Sequence, residues 1–321
     1  MIEQNAGARH VPVMLGRTVE LLAPALASEG AVYVDCTLGL GGHARAILER
    51  CPDARLIGID RDADALDAAR ERLAAHADRV ELYQAVYDEL GDVLAEARTP
   101  RVQAILADLG LSSLQIDTAE RGFAYAVDAP LDMRMTQSEG PSAADVVNTY
   151  AASDLARVLR TYGEERFADR IARAIVAERA RRPFETSARL VETVAGAIPA
   201  AARKTGGHPA KRTFQALRIE VNRELDALAG LLPQALDALA PGGRIAVLAY
   251  HSLEDRLVKN ALREASTDHA PRDLPVVPAE HRARFRLLTR GAERPDDEEH
   301  EANPRAASAR LRAAERLSED S

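Results

Sequence analysis

The chain is expected to fold as an α/β protein in which a parallel, doubly wound sheet is interrupted by a helical insertion. Three observations predict this. Short apolar runs alternate with longer helical patterns over the first 110 residues, a glycine-rich turn follows the first apolar run, and the alternation stops near Ile116 and resumes after Pro209.

"AVYVDCT" (31–37), "RLIGID" (55–60), "VELYQA" (80–85) and "VQAILADLG" (102–110) have the near-continuous apolar character of buried parallel strands. Helical patterns near 43–50, 62–75 and 87–97 link them into four βα units in order. From about Ile116 to about Pro209 only helical patterns are found, such as "ASDLARVLRTYG" and "ERFADRIARAIVAERARR". The chain therefore divides into 1–115, an insertion at 116–209, and 210–321, in which the sheet resumes. In this last part "AKRTFQALRIEVNRELDALAGLLPQALDAL" reads as a long helix or a broken pair, and "PGGRIAVLAYHS" as a turn and a fifth strand. The segment 253–264 is helical, "RFRLLTR" (284–290) is a candidate edge strand, and "DDEEHE" (296–301) reads as an acidic loop. The terminal "ARLRAAERL" fits a last strand or a frayed helix.

With 321 residues, 46% of them hydrophobic, the chain can bury a substantial core. It has no run near the roughly 18 uninterrupted apolar residues of a membrane span, and "MIEQNAGARH" lacks a signal-peptide core, so a cytoplasmic location is expected. Cys36 and Cys51 lack zinc-site or disulfide-framework spacing and are expected as reduced, buried thiols. A net charge of −8 argues against indiscriminate coating of nucleic acid but leaves room for a local basic face.

Ligands of doubly wound sheets sit beyond the carboxyl ends of the strands, which puts the turn in "VYVDCTLGLGGHARAIL" (32–48) at the expected pocket. Gly39, Gly41 and Ala44 satisfy G-x-G-x-x-A, and Asp60 ends the next strand about 20 residues on, so a dinucleotide such as NAD is one reading. A carboxylate at Asp60 would hold ribose hydroxyls of either NAD or S-adenosylmethionine. Asp35 separates the two: ahead of the glycines it would repel dinucleotide phosphates and attract a methionine ammonium. Its plainer role is a turn cap bonding loop N–H groups. His43 has no partner at metal-ligand spacing, so no metal is expected; it lines the pocket or is simply a first-turn helix residue.

The fourth strand ends "ADLGLSSLQID", which projects Asp108, Gly110, Ser112, Ser113 and Gln115 over the same edge. An acceptor here can bond the N–H of an aromatic amine, draw the nitrogen toward sp³ character and align it for attack on a methyl group. Asp108 is the candidate for this amine orientation; alternatively it is a turn carboxylate, with Ser112 and Ser113 as helix caps. No G-x-S-x-G elbow accompanies the serines, which excludes a serine hydrolase. "AYHSLED" places Tyr250, His251 and Ser252 at the end of the fifth strand, as pocket rim or as core packing with Ser252 capping the next helix.

Between 157 and 182 eight arginines face four acids, and between 203 and 223 six basic residues face Glu220 alone. Such concentration suits a phosphate backbone, although i,i+4 ion pairing on a solvated face explains it as readily. The few aromatic residues nearby (Phe123, Tyr125, Tyr162, Phe167, Phe184, Phe214) suit a structured RNA better than a long single strand.

"HVPVML", "DCTLGLGGH", "GIDRD", "LADLGLSSLQID", "ERGFAY", "PLDMRM", "YGEERFADRIARAIV", "TFQALRIEVNREL", "LAPGGRIAVLAYHSLEDRLVK" and "NPRAASARLRAAER" follow one another from His10 to Arg316. In these blocks and their order the chain resembles the RsmH (MraW) family of small-subunit ribosomal RNA methyltransferases. The resemblance implies a Rossmann-like class I S-adenosylmethionine-dependent methyltransferase sheet with an inserted substrate-recognition domain. It implies methylation of N4 of a cytosine, cytosine 1402 in that family, in the decoding centre of 16S rRNA within the small ribosomal subunit. It carries contacts to S-adenosyl-L-methionine onto Gly41, Gly42, His43, Asp60, Tyr87, Asp108 and Gln115. Two positions depart from the family's usual residues: Tyr87 stands where Phe is frequent and Leu114 where Pro is frequent, and neither change removes a chemical group. A non-catalytic RNA-binding assembly factor on the same fold is a further alternative, marked by cofactor binding without methyl transfer. A homodimer is among the assemblies open to the chain.

Overall fold

The computed structural model describes residues 12–203, 207–269, 278 and 281–318. His10 and Val11 of the first family block and Lys204 of the basic cluster lie outside the described residues. Backbone contacts divide the chain into two compact units, Met1–Gly110 with Ala227–Ser321, and Leu111–Asp226.

The first unit is built on a seven-stranded sheet of β1 (Val32–Asp35), β2 (Arg55–Asp60), β3 (Val80–Gln84), β4 (Val102–Asp108), β5 (Leu239–Ala249), β6 (Phe285–Leu287) and β7 (Arg310–Arg316). The strands lie in the order β3-β2-β1-β4-β5-β7-β6. β1 to β5 run parallel, and β7 is antiparallel to both β5 and β6. The helices of this unit are α1 (Leu15–Leu22), α2 (Gly42–Arg50), α3 (Ala63–Arg72) and α4 (Leu90–Glu96). Those of the second unit are α5 (Ser113–Asp117), α6 (Ala143–Thr149), α7 (Ala152–Gly163), α8 (Ala168–Arg179), α9 (Ser187–Ala197), α10 (Ala200–Arg203) and α11 (Lys211–Asn222). α12 (Glu224–Ala238) leads back into the sheet, and α13 (Ser252–Ala265) and α14 (Asp297–Ala302) follow.

β1 is buried at all four positions because both sheet faces are covered. One face carries Tyr33, Leu56, Leu106 and Leu248 against Leu22, Ile47 and Leu66 of α1, α2 and α3. The other carries Val34, Ile57, Ile105 and Val247 against Leu94, Leu231 and Val258 of α4, α12 and α13. The alternation along each strand thus feeds two apolar layers and leaves the strand tips for chemistry.

The expected strands occur, with β1 and β4 ending at Asp35 and Asp108. The terminal run is the strand β7, and the "AKRTF…" segment is a broken pair whose break is Arg223, at φ 52. Two expectations are corrected. The acidic run 296–301 contains helix α14, because the side chain of Asp296 accepts the Glu299 N–H and three acids in its first turn complement the helix dipole. The insertion extends from 111 to 226 rather than 116 to 209. Phe214 and Leu217 of α11 join one core with Leu155, Leu159, Ile171 and Phe184 of α7, α8 and the segment before α9. Asn222 reinforces this: its buried amide accepts the Met135 N–H at 2.8 Å and donates to the Met133 carbonyl at 2.8 Å.

Candidate cofactor and methyl-transfer site

The glycine turn is shaped by backbone. Gly39 and Gly41 adopt φ of 51° and 73°, and Gly41 is the left-handed cap from which α2 begins. A Cβ at Gly42 would come within 2.4 Å of Pro12 Cγ, so the segment before α1 lies directly on the turn. At the tip of β2, Asp60 ties the turn down: its carboxylate accepts the Gly39 N–H at 2.8 Å and the Asp62 N–H at 2.9 Å.

Adjacent strands β1 and β4 bring Asp35 and Asp108 to the same edge. Asp35 accepts the Tyr33 hydroxyl at 2.8 Å and the Thr37 N–H at 3.2 Å, so the cap role expected for it is present. The Asp108 N–H donates to Thr37 Oγ1 at 2.6 Å, which binds the end of β4 to the turn after β1. Tyr250, just past β5, donates its hydroxyl to Asp108 Oδ1 at 2.7 Å. The other carboxylate oxygen, Oδ2, lies 3.5 Å from His43 Nδ1. His43 Nε2 lies 3.1 Å from the Val13 carbonyl, and Met14 N–H bonds Glu299 of α14 at 2.5 Å.

Burial sets the electrostatics. Desolvation raises the carboxyl of Asp108 to about 7 against the lowering effect of the Tyr250 hydroxyl. It raises Asp35 to about 6, with His43 and Tyr33 opposing, and Asp60 to about 6, with the two backbone N–H bonds opposing. The same desolvation lowers His43, which keeps the ring neutral. Among the described residues no lysine or arginine forms an ion pair with Asp35 or Asp108. Desolvated acids held together without a lysine or arginine partner make a site that gains from a positively charged ligand.

S-adenosylmethionine, with its sulfonium and ammonium charges, fits that donor set. The turn presents backbone held by positive φ at Gly39 and Gly41, Asp35 and Asp108 supply negative charge, and Asp60 retains carboxylate lone pairs for ribose hydroxyls. A dinucleotide would bring phosphates toward two unpaired carboxylates. Among the described residues no group of three or more His, Cys, Asp or Glu side chains is arranged to hold a metal.

Of the residues expected at the site, Asp35, His43, Asp108 and Tyr250 come together, as do Gly39 and Asp60. Tyr87 starts a short 3₁₀ turn after β3 and packs against the apolar layer of α4 and α12. Gln115 lies in the second unit, where its Oε1 accepts the Ser112 N–H at 3.1 Å and Ser112 Oγ accepts the Gln115 N–H at 3.3 Å. Ser112 therefore caps α5, as one reading had it. α13 is capped by His251, not Ser252, because the His251 side chain accepts the Glu254 N–H while the Glu254 carboxylate accepts the His251 N–H. Sequence reasoning missed Tyr33, Thr37, Glu254, Glu299 and the Val13 carbonyl. Thr37, two residues after Asp35 in a turn, was the one with a local signal.

The sheet order 3-2-1-4-5-7-6 with β7 reversed, and acids at the tips of β1, β2 and β4, define a class I S-adenosylmethionine-dependent methyltransferase. The pattern of the MraW methylase family matches residues 7–317, and the chain belongs to that family. Its relatives include the ribosomal RNA small subunit methyltransferase H of Saccharopolyspora erythraea, 61% identical over 315 residues covering 98% of this chain and 96% of that protein. The protein of the same name from Frankia alni is 63% identical over 308 residues, covering 96% and 95%. That from Nocardioides sp. is 62% identical over 313 residues, covering 98% of each. Membership decides between the two cofactor readings in favour of the methyl donor over NAD.

Proposed function

We propose that this enzyme methylates N4 of a cytosine in the decoding centre of 16S rRNA, cytosine 1402 by family resemblance, acting on the small ribosomal subunit. The names of relatives about 60% identical along nearly the whole chain support the RNA and the subunit. The observation that carries the choice of an amine is Asp108, a carboxylate at a strand tip with one oxygen held by Tyr250 and, among the described residues, no lysine or arginine paired with it. Methylation of a pyrimidine carbon requires a nucleophilic thiolate to activate the ring. Cys36 and Cys51 are both buried with thiols pushed up by desolvation, which leaves neither suited to that role.

When bound, S-adenosylmethionine supplies an electrophilic methyl carbon on a positively charged sulfur. The protein's part is positioning and electrostatics. Asp108, ionised, accepts an N–H of the amine and turns the nitrogen lone pair out of conjugation with the ring. Tyr250 fixes the carboxylate's orientation through Oδ1. Asp35 faces the ammonium, Asp60 the ribose, and Gly41, Gly42, His43, Tyr87 and Gln115 are the further cofactor contacts that the family pattern assigns. The basic residues of the second unit serve the phosphate backbone. Several are already committed within it, including Arg218 to Glu224 and Arg160 to Asp169, whereas Arg170, Arg203 and Lys211 are exposed. A homodimer is compatible with this scheme and is not required by it.

The test uses methyl-labelled cofactor and small subunits lacking the modification, followed by nuclease digestion and mass spectrometry of the nucleosides. Label on cytosine N4 is expected; label on a cytosine carbon, a ribose or another base contradicts the assignment. Cofactor binding with no transfer to any subunit preparation would favour the assembly-factor reading.

A further inference from the structure

We propose that His43 and Asp108 form a pair that takes up the proton lost by the substrate amine and holds it as one shared proton, His43 acting through Asp108 as a positioning residue. This rests on the amine-methylation reading above. The Val13 carbonyl can only accept a hydrogen bond, so His43 Nε2, 3.1 Å away, carries the hydrogen. In the neutral ring Nδ1 is then a bare lone pair, and it faces Asp108 Oδ2 at 3.5 Å. Two acceptors so placed repel each other while the pair is proton-free, and this repulsion raises its affinity for a proton between them. Tyr250 occupies Oδ1 and so fixes Oδ2 as the oxygen turned to the ring.

The surroundings leave that proton free to sit on either partner. Burial favours a neutral His43, whereas the facing acids Asp35 and Glu299 favour its cation. Burial and the nearby Glu254 favour a neutral Asp108, whereas the Tyr250 hydroxyl favours the carboxylate. Tyr33 faces both acids and stays protonated, since burial and Asp35 push its hydroxyl up. Two ionisable groups 3.5 Å apart titrate as a pair. In the reaction the nitrogen gains the methyl carbon, the carbon–sulfur electron pair stays with the donor, and the N–H bond breaks with its pair remaining on nitrogen. The released proton passes to Oδ2, is shared with Nδ1, and leaves to water after the product.

The experiment compares the pH dependence of kcat for the full-length enzyme and His43→Asn on small subunits lacking the modification. In the variant an amide N–H stands where Nδ1 stood and favours the ionised carboxylate without being able to take up a proton. The ascending limb of kcat is expected to move to lower pH by about one unit, with a plateau reduced roughly 10-fold. An unmoved limb, whatever the change in plateau or KM, would overturn the pair. A second measurement needs neither substrate nor a folded variant of His43: nitrogen NMR of histidine-labelled protein without cofactor. Expected is an Nε2–H ring whose Nδ1 resonance titrates with Asp108 and moves in Asp108→Asn; an Nδ1–H ring, or a resonance indifferent to Asp108→Asn, overturns the proposal. Should the pair be found by NMR while label maps away from cytosine N4, the substrate assignment fails and the shared proton stands.

Discussion

Asp35, Asp60 and Asp108 are costly residues kept for a purpose, since Asp35 is buried, Asp60 and Asp108 are half-buried, and each is pushed well above the ordinary carboxylate range. Acids whose folded values are raised stabilise the fold below their unfolded pKa of about 4 and lose that contribution as pH climbs through their folded values. Thermal unfolding of the cofactor-free enzyme should therefore show their share of stability falling between about pH 4 and pH 7; a share that rises over that interval would contradict the burial account. Asp108→Asn keeps the shape and removes the charge, and it should lower kcat by about 10²–10⁴. Cofactor affinity, measured by calorimetry on the same variant, should fall far less; equal losses would make Asp108 mainly a cofactor contact. These three aspartates were legible because each ends a run of apolar strand residues beside a glycine turn or its neighbour. The Val13 carbonyl and Glu299 were not: one is a backbone group and the other lies 256 positions from His43, brought near only by tertiary packing.

At the level of elements, apolar runs and helical periodicity carried most of the sheet. β7 was ambiguous because "ARLRAAERL" alternates as a strand yet is built of good helix formers. Its pairing between β5 and β6 decides the matter through backbone bonds that no local pattern reports. The sequence of α14 reads as a loop because six mostly acidic residues repel as a solvated run, whereas the Asp296 cap and the bond from Met14 to Glu299 give them a reason to coil. Where α11 belongs was equally hidden, since Asn222 reads as an ordinary polar residue until its amide is seen closing the 133–135 loop. Asn222→Leu would strand a buried N–H and a buried carbonyl and should destabilise the second unit by about 2 kcal/mol or more. Chemical denaturation followed by a probe in that unit would check this, and a change within about 0.5 kcal/mol would refute the role.

The molecule as a whole places its chemistry in a unit assembled from the two ends of the chain and its densest basic stretches in the unit between them. The net charge of −8 hides this division, which becomes visible only when charge is counted by segment. What unites the site residues is a concentration of desolvated negative charge that, among the described residues, no lysine or arginine answers, best explained as the seat of a positively charged methyl donor. Calorimetric titration of the enzyme with S-adenosylmethionine at pH 5.5 and pH 7.5, in buffers of different ionisation enthalpy, tests this most directly. Tighter binding at pH 7.5, with protons released on binding at the lower pH, is expected if the donor's charge meets Asp35 and Asp108; affinity that is unchanged or weaker at pH 7.5, or proton uptake at pH 5.5, would contradict it.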